Sequence, residues 1–120
     1  MKVLICGSRN FADKKLMLGV MKTLPKDTII IEGEAMGADS LARDIALELN
    51  FVVEKFPADW DKHGKSAGPI RNQKMLIEGK PQRVLAFFYD MENSIGTWDM
   101  VRKSQKAGLT VEVFVSKEEK

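Results

Sequence analysis

The sequence predicts an α/β protein of the Rossmann-like kind, a three-layer sandwich in which a five-stranded, mostly parallel sheet in the order 3-2-1-4-5 is covered by helices on both faces. Three observations carry that expectation. Five short β-rich runs alternate with four helical patterns along the 120 residues, and strands separated by helices pair in parallel because a right-handed crossover returns each strand in the same direction. Three of the runs are apolar at consecutive positions, as strands buried on both faces must be, whereas two admit charges and so suit the edges. The segments between them repeat their apolar residues at the helical period rather than the strand period.

The run KVLIC (2–6) is the first strand. Leu16, Met17, Val20, Met21 and Leu24 then form one apolar stripe, and Asp13 is a suitable cap for that helix. TIIIE (28–32) follows, and Ala38, Leu41, Ala42, Ile45, Ala46 and Leu49 make the core face of a second helix. FVVEKF (51–56) leads to a helix over 69–78, opened by Pro69 and closed by Gly79. RVLAFFY (83–89), a helix over 96–107 with Gly108 at its carboxyl end, and TVEVFV (110–115) complete the alternation. VLIC, TIII and RVLAFF are the interior strands; FVVEKF and TVEVFV, each carrying charge, are the edges. That order puts the topological switch point between strands one and four. Only the SKEEK tail is expected to fray.

With 44% hydrophobic and 30% charged residues, the chain fits one globular domain over 1–120, long enough for one core and too short for two. A net charge of +2, from 19 basic and 17 acidic residues, lacks the dense basic footprint of a protein that lives on duplex nucleic acid; a small anionic ligand is the expected partner, and nucleic acid is not. Cys6 is the single cysteine and His63 the single histidine, which excludes a disulfide framework, argues against a zinc site and leaves no cofactor expected. The amino-terminal VLIC run is too short for a signal segment, and no stretch approaches the ~20 apolar residues of a membrane span, so a cytoplasmic protein is expected. A second copy of the chain is a candidate partner for completing a pocket on so small a domain with seven methionines.

In the expected topology, every strand-to-helix loop lies on one rim, where sheets of this kind bind ligands. In CGSRNFAD, Gly7 permits close backbone approach, Ser8 offers a hydroxyl and Arg9 a forked grip on phosphate; an ordinary turn is the alternative. In GEAMGAD, Gly33 and Gly37 bracket a turn ahead of helix amides that suit an anion, and Asp39 reads equally as a cap or a ligand-binding group. The fourth strand leaves through YDMENSIGTWDM, where Gly96 and Thr97 open a helix beside the switch point. The loop PADWDKHGKSAG supplies Trp60, either a stacking surface for a base or a packing residue. Arg71 is expected in the first turn of the helix over 69–78, with Lys62 and Lys65 upstream. A cation there opposes the helix dipole by ~0.3–1 kcal/mol, and a bound anion would remove the conflict. His63 has no neighbouring nucleophile and suggests no triad, and Cys6 reads as a small buried hydrophobe.

Taken together, GSRNFAD (7–13), GEAMGADSLARDIA (33–46), ADWDKHGKSAGPIRNQKML (58–76) and SIGTWDMVRKSQKAGLTV (94–111) resemble the SLOG superfamily, and within it the small YspA/YpsA-like branch of nucleotide-binding proteins. The likeness spans nearly the whole chain, and its most specific block is W…GKSAGPIRN. The resemblance implies a Rossmann-like fold and a nucleotide or nucleotide-derived ligand. It places Gly7, Ser8 and Arg9 in the first phosphate-side loop, Gly33, Gly37 and Asp39 in the second, Gly96 and Thr97 in the third, and Arg71, with Asn72 beside it, over the sugar-phosphate.

The superfamily also holds the LONELY GUY phosphoribohydrolases, which split the base from a nucleoside 5′-monophosphate, and a DNA-processing protein that holds single strands. The hydrolases resemble Pro-Gly-Gly-x-Gly-Thr-x-x-Glu at the third loop, where this chain loses the glycine pair and has Met100 in place of the glutamate. In the second loop, Glu34 and Met36 stand where a glycine and a basic residue are usual. Two functions follow as expectations. One is hydrolysis of an N-glycosidic bond, with Glu34 or Asp99 stabilising the positive charge that develops on the ribose and Arg71 holding the phosphate. The other is a non-catalytic sensor or sequestering protein for a nucleotide-derived signal, ADP-ribose-like or cyclic, which needs the same glycines and arginines but no carboxylate.

Overall fold

Consecutive apolar residues place β1 (Lys2–Gly7) at the centre of the sheet, with Val3, Leu4 and Ile5 fully buried. In the computed structural model, which describes residues 1–117, β2 (Ile29–Glu32) and β4 (Arg83–Phe88) flank it, and β3 (Val52–Lys55) and β5 (Val111–Val115) form the edges. The order is 3-2-1-4-5 as expected, and every pairing is parallel. The frayed tail expected over 116–120 falls at 118–120 outside the described residues.

Successive strand residues point to opposite faces and feed two cores. On one face Val3, Ile5, Ile30 and Phe87 pack with Met17 and Met21 of α1 (Lys14–Met21) and with Ala42 and Ile45 of α2 (Ala38–Glu48). On the other, Leu4, Cys6, Ile31 and Phe88 pack with Met75 of α4 (Ala67–Ile77) and Met100 of α5 (Ile95–Lys106). This is the three-layer α/β arrangement that the alternation predicts.

The helix ends follow the sequence closely. Asp13 Oδ1 accepts the Leu16 amide at 3.1 Å, and Oδ2 accepts the Ser116 hydroxyl at 3.0 Å, tying α1 to the end of β5. Beyond α5, Gly108 has φ +86, and its amide and that of Leu109 reach Gln105 and Ser104 carbonyls at 3.0 Å. That pair of bonds closes a Schellman motif. Leu24, read as part of the first helical stripe, lies past the end of α1 but is buried in the same core.

One element departs from expectation in a way that matters. The third crossover holds an additional helix, α3 (Trp60–His63), and a 3₁₀ turn at Gly64–Ser66 before α4, which starts at Ala67 rather than Pro69. Proline is tolerated within a first turn because those amides have no intrahelical acceptor. Arg71 is therefore the fifth residue of α4 and not in its first turn. The dipole conflict expected there does not arise.

Candidate functional site

The loops leaving β1, β2 and β4 meet around a cavity of about 570 Å³ at the carboxyl ends of the strands. Arg9, Asp39, Arg71, Asn72, Gly96 and Thr97 all line it, as does Gly7. A second cavity of about 510 Å³ is lined by Gly33, Glu34, Pro57, Ala58 and Trp60. The two share Arg9, Ala35, Met36 and Arg71 on their walls, so they form one two-lobed groove with cations at its waist.

Arg71 reaches across from α4 to the loop after β2. Its Nη1 donates to the Gly33 carbonyl and its Nε to Asn72 Oδ1 at 2.9 Å. Burial pulls its pKa below the ordinary guanidinium value, and Asp39 works against that shift. Asp39 is itself buried; Oδ2 accepts the Gly33 and Ala35 amides at 3.2 and 3.3 Å. Burial pushes its pKa up to about 6, opposed by Arg71 and by those two amides. Asp39 thus closes the loop after β2 on itself instead of serving as the N-cap of α2, the position that Gly37 occupies with φ +78. The Ala38 amide is also taken, by the Ser8 carbonyl at 3.1 Å, so part of the amide surface expected at this helix start is spent inside the protein.

The amino end of α5 is the more open one. Ser94, Ile95, Gly96 and Thr97 line the first lobe, and the first turn holds no acidic residue to offset the helix dipole. Ser94 is the N-cap residue. Its hydroxyl bonds to the Asp90 carbonyl and, at 2.7 Å, to Ser8 Oγ. Ser8 Oγ also accepts the Tyr89 amide at 3.0 Å, so the serine expected to offer its hydroxyl to a ligand is buried and latches the first loop to the fourth. Trp98 stabilises the same loop from behind, its Nε1 donating to Met91 O at 2.7 Å and its ring lying 4.8 Å from that of Phe88.

The carboxylates singled out in the sequence go to different places. Asp99 does not line either lobe. It pairs with Lys103 at 2.6 Å and accepts Asn72 Nδ2 at 3.0 Å; burial acts upward on it, but these two partners outweigh that and hold its pKa below the usual range. Glu34 lines the second lobe and faces Arg43 at 3.3 Å. Met100, at the position where the hydrolases carry glutamate, lines the floor of the first lobe beside Met75 and Cys6. Burial raises the pKa of the Cys6 thiol, which keeps it a small apolar residue. Trp60 is 49% exposed and sits under the Arg9 guanidinium, 5.8 Å from ring centroid to Cζ. His63 lines neither lobe.

Glu32, which the sequence reading passed over as the last residue of a strand, is fully buried. Oε1 accepts the Glu34 amide, and among the described residues Oε2 meets no hydrogen-bonding partner. Burial, with the Glu34 carboxyl close by, pushes Glu32 up to about 8, so it carries a proton at neutral pH. The signal was visible: an acid ending the apolar run TIII, in a strand covered on both faces, has no solvent to escape to. Among the described residues no group of three or more His, Cys, Asp and Glu could hold a metal ion, and no helix is long and apolar enough to cross a membrane.

Known proteins match this chain in both sequence and fold. A family model described as the YspA, cpYpsA-related SLOG family matches residues 1–63. The Gene 61 protein of Mycobacterium phage D29 is 32% identical over 125 residues, spanning 97% of this chain and 98% of that protein. Among solved structures, DNA processing protein A (DprA) from Streptococcus pneumoniae superposes with a TM-score of 0.77 at 20% identity. That match covers 93% of this chain but only 49% of that one, so this chain spans about half the DprA chain and shares its fold.

Proposed function

Because the chain belongs to the YspA, cpYpsA-related SLOG family, we propose that it binds a nucleotide or nucleotide-derived ligand in the two-lobed groove at the carboxyl ends of its strands. The observation that carries this reading is the convergence of Arg9, Arg71 and the amino end of α5, whose first turn holds no acidic residue, with Gly96 and Thr97, on one cavity. Two cations and a free helix terminus are a phosphate site by their chemistry. The volume on either side of Arg71 leaves room for a second group beyond the phosphate.

Binding without turnover is the better supported form. Met100 lines the first lobe at the glutamate position of the hydrolases, and Asp99 is held by Lys103 and Asn72. A sensor or sequestering protein for an ADP-ribose-like or cyclic nucleotide fits these placements. One observation favours the hydrolase: Asp39 lines the same lobe, its pKa raised to about 6, beside Arg71, and carboxylates so perturbed in a cleft are often reactive.

Calorimetric titration with AMP, ADP-ribose and a 3′,5′-cyclic nucleotide tests the proposal. At least one is expected to bind, and the exposed-residue variant Arg9→Ala to weaken it about tenfold by removing a charge-assisted contact. No binding of any of them at about 1 mM, where even a weak site of ~4 kcal/mol would register, overturns it. Release of free base from nucleoside monophosphates, abolished by Asp39→Asn, would convert the binding reading into the hydrolytic one. Retention of single-stranded oligonucleotides with a steep salt dependence would instead point to nucleic acid.

A further inference from the structure

The second lobe holds charges that conflict. Arg9 and Arg71 make its walls cationic, as a phosphate requires, yet Glu34 lines it as well. A carboxylate beside a phosphate repels it unless the carboxylate faces an uncharged part of the same ligand. Glu34 remains ionised: Glu32 beside it, and then Arg43, hold its pKa below the ordinary range. Arg43 Nη1 lies 3.3 Å from both of its carboxylate oxygens. An ionised carboxylate can only accept hydrogen bonds, so whatever it meets must bring donors.

The backbone adds a second, independent observation. Glu34 has φ +58 and stands at no helix end, a conformation that costs a side-chain-bearing residue ~1–2 kcal/mol and persists where the surroundings enforce it. Here the Glu34 amide is held by buried Glu32, whose proton removes what would otherwise be a second negative charge beneath the first. Trp60 and Pro57 share the lobe with Glu34 and offer flat apolar surface to a ring.

Resting on the nucleotide reading above, we propose that Glu34 reads the sugar of the ligand, accepting hydrogen bonds from the adjacent 2′- and 3′-hydroxyls of a ribose in the lobe it shares with Trp60, so that the site selects ribonucleotides over deoxyribonucleotides. Glu32 and Arg43 are positioning residues: the first fixes the Glu34 backbone, the second aims its carboxylate. A diol supplies two donors and no charge, which lets one groove hold a carboxylate and a phosphate-binding pair of arginines together.

The test compares AMP and GMP with their 2′-deoxy and 3′-deoxy counterparts by calorimetry on the full chain. The ribonucleotides are expected to bind about tenfold more tightly than either analogue, the loss of one hydrogen bond to a charged acceptor. Glu34→Gln, which keeps size and shape, should bring all of them within about threefold without lowering the affinity for inorganic pyrophosphate, since it removes a negative charge from the groove. Equal binding of ribo- and deoxyribonucleotides by the unmodified chain overturns this proposal and leaves the nucleotide reading standing. Failure of every nucleotide to bind overturns the nucleotide reading, and this one with it.

Discussion

Gly37 and Gly96 stand at the amino ends of α2 and α5, and each lacks a side chain for a different reason. At Gly37 the backbone has φ +78, and a Cβ would lie 2.3 Å from the Arg9 carbonyl oxygen and 2.4 Å from that of Ser8. Gly37→Ala is expected to destabilise the fold by about 2 kcal/mol or more, through left-handed strain and that collision, and urea unfolding measures it. At Gly96 a Cβ meets nothing within 4 Å. Nothing inside the protein needs this glycine, and alanine in a helix is favoured by up to ~1 kcal/mol. Gly96→Ala should therefore leave the melting temperature unchanged or raise it, yet weaken AMP binding about tenfold because the ligand approaches the bare backbone. A variant that binds as tightly as the parent would remove the amino end of α5 from the site.

Between elements, a chain of polar contacts fixes the cation at the waist of the groove. Lys103 holds Asp99; Asp99 and the Gly96 carbonyl accept from Asn72 Nδ2; Asn72 Oδ1 accepts from Arg71 Nε; and Arg71 ends on the Gly33 carbonyl. Asn72, buried and bonded on every side, joins α4 to α5 and sets the direction of Arg71. Removing it as Asn72→Ala leaves Asp99 short of a donor and Arg71 short of an acceptor. A loss of about 2 kcal/mol in denaturant unfolding is expected, with a fall in nucleotide affinity although no ligand contact need be lost. Unchanged affinity alongside lowered stability would show that Arg71 does not depend on this support.

Across the fold, two acids hold their protons more tightly when folded than when unfolded: Glu32, raised from 4.5 to about 8, and Asp39, raised from 3.8 to about 6. Below their unfolded values both states are protonated and the full benefit is present; as pH rises, the unfolded chain gives up these protons first and stability falls until about pH 8. Glu34 and Asp99 act in the opposite sense, with pKa values depressed by their partners, so their stabilisation is lost on acidification. Stability should peak at about pH 4 and decline until about pH 8. Scanning calorimetry across that range should show the decline, and Glu32→Gln should flatten most of it between pH 6 and pH 9. Equal melting temperatures for the parent at pH 6 and pH 9 would contradict the buried, protonated state of Glu32.

Strand order was written in the local pattern of the chain. VLIC, TIII and RVLAFF, each with at least three apolar residues in succession, had to lie inside the sheet, and the charges in the middle of FVVEKF and TVEVFV had to lie at its edges, because burial on two faces leaves a charged side chain nowhere to be solvated. The same order brought Arg9, Gly96 and Thr97 to one rim, and the sequence alone placed them there. Side-chain direction was decided elsewhere. Whether Ser8 Oγ turned to a ligand or to Ser94, whether Asp99 faced the groove or Asn72, and whether Arg71 reached the Gly33 carbonyl depended on residues 86, 27 and 38 positions away along the chain. Distant elements arrive at those positions only once the two cores have packed. A hydrophobic period is a property of one segment, but a hydrogen bond belongs to two, and only the tertiary structure supplies the second.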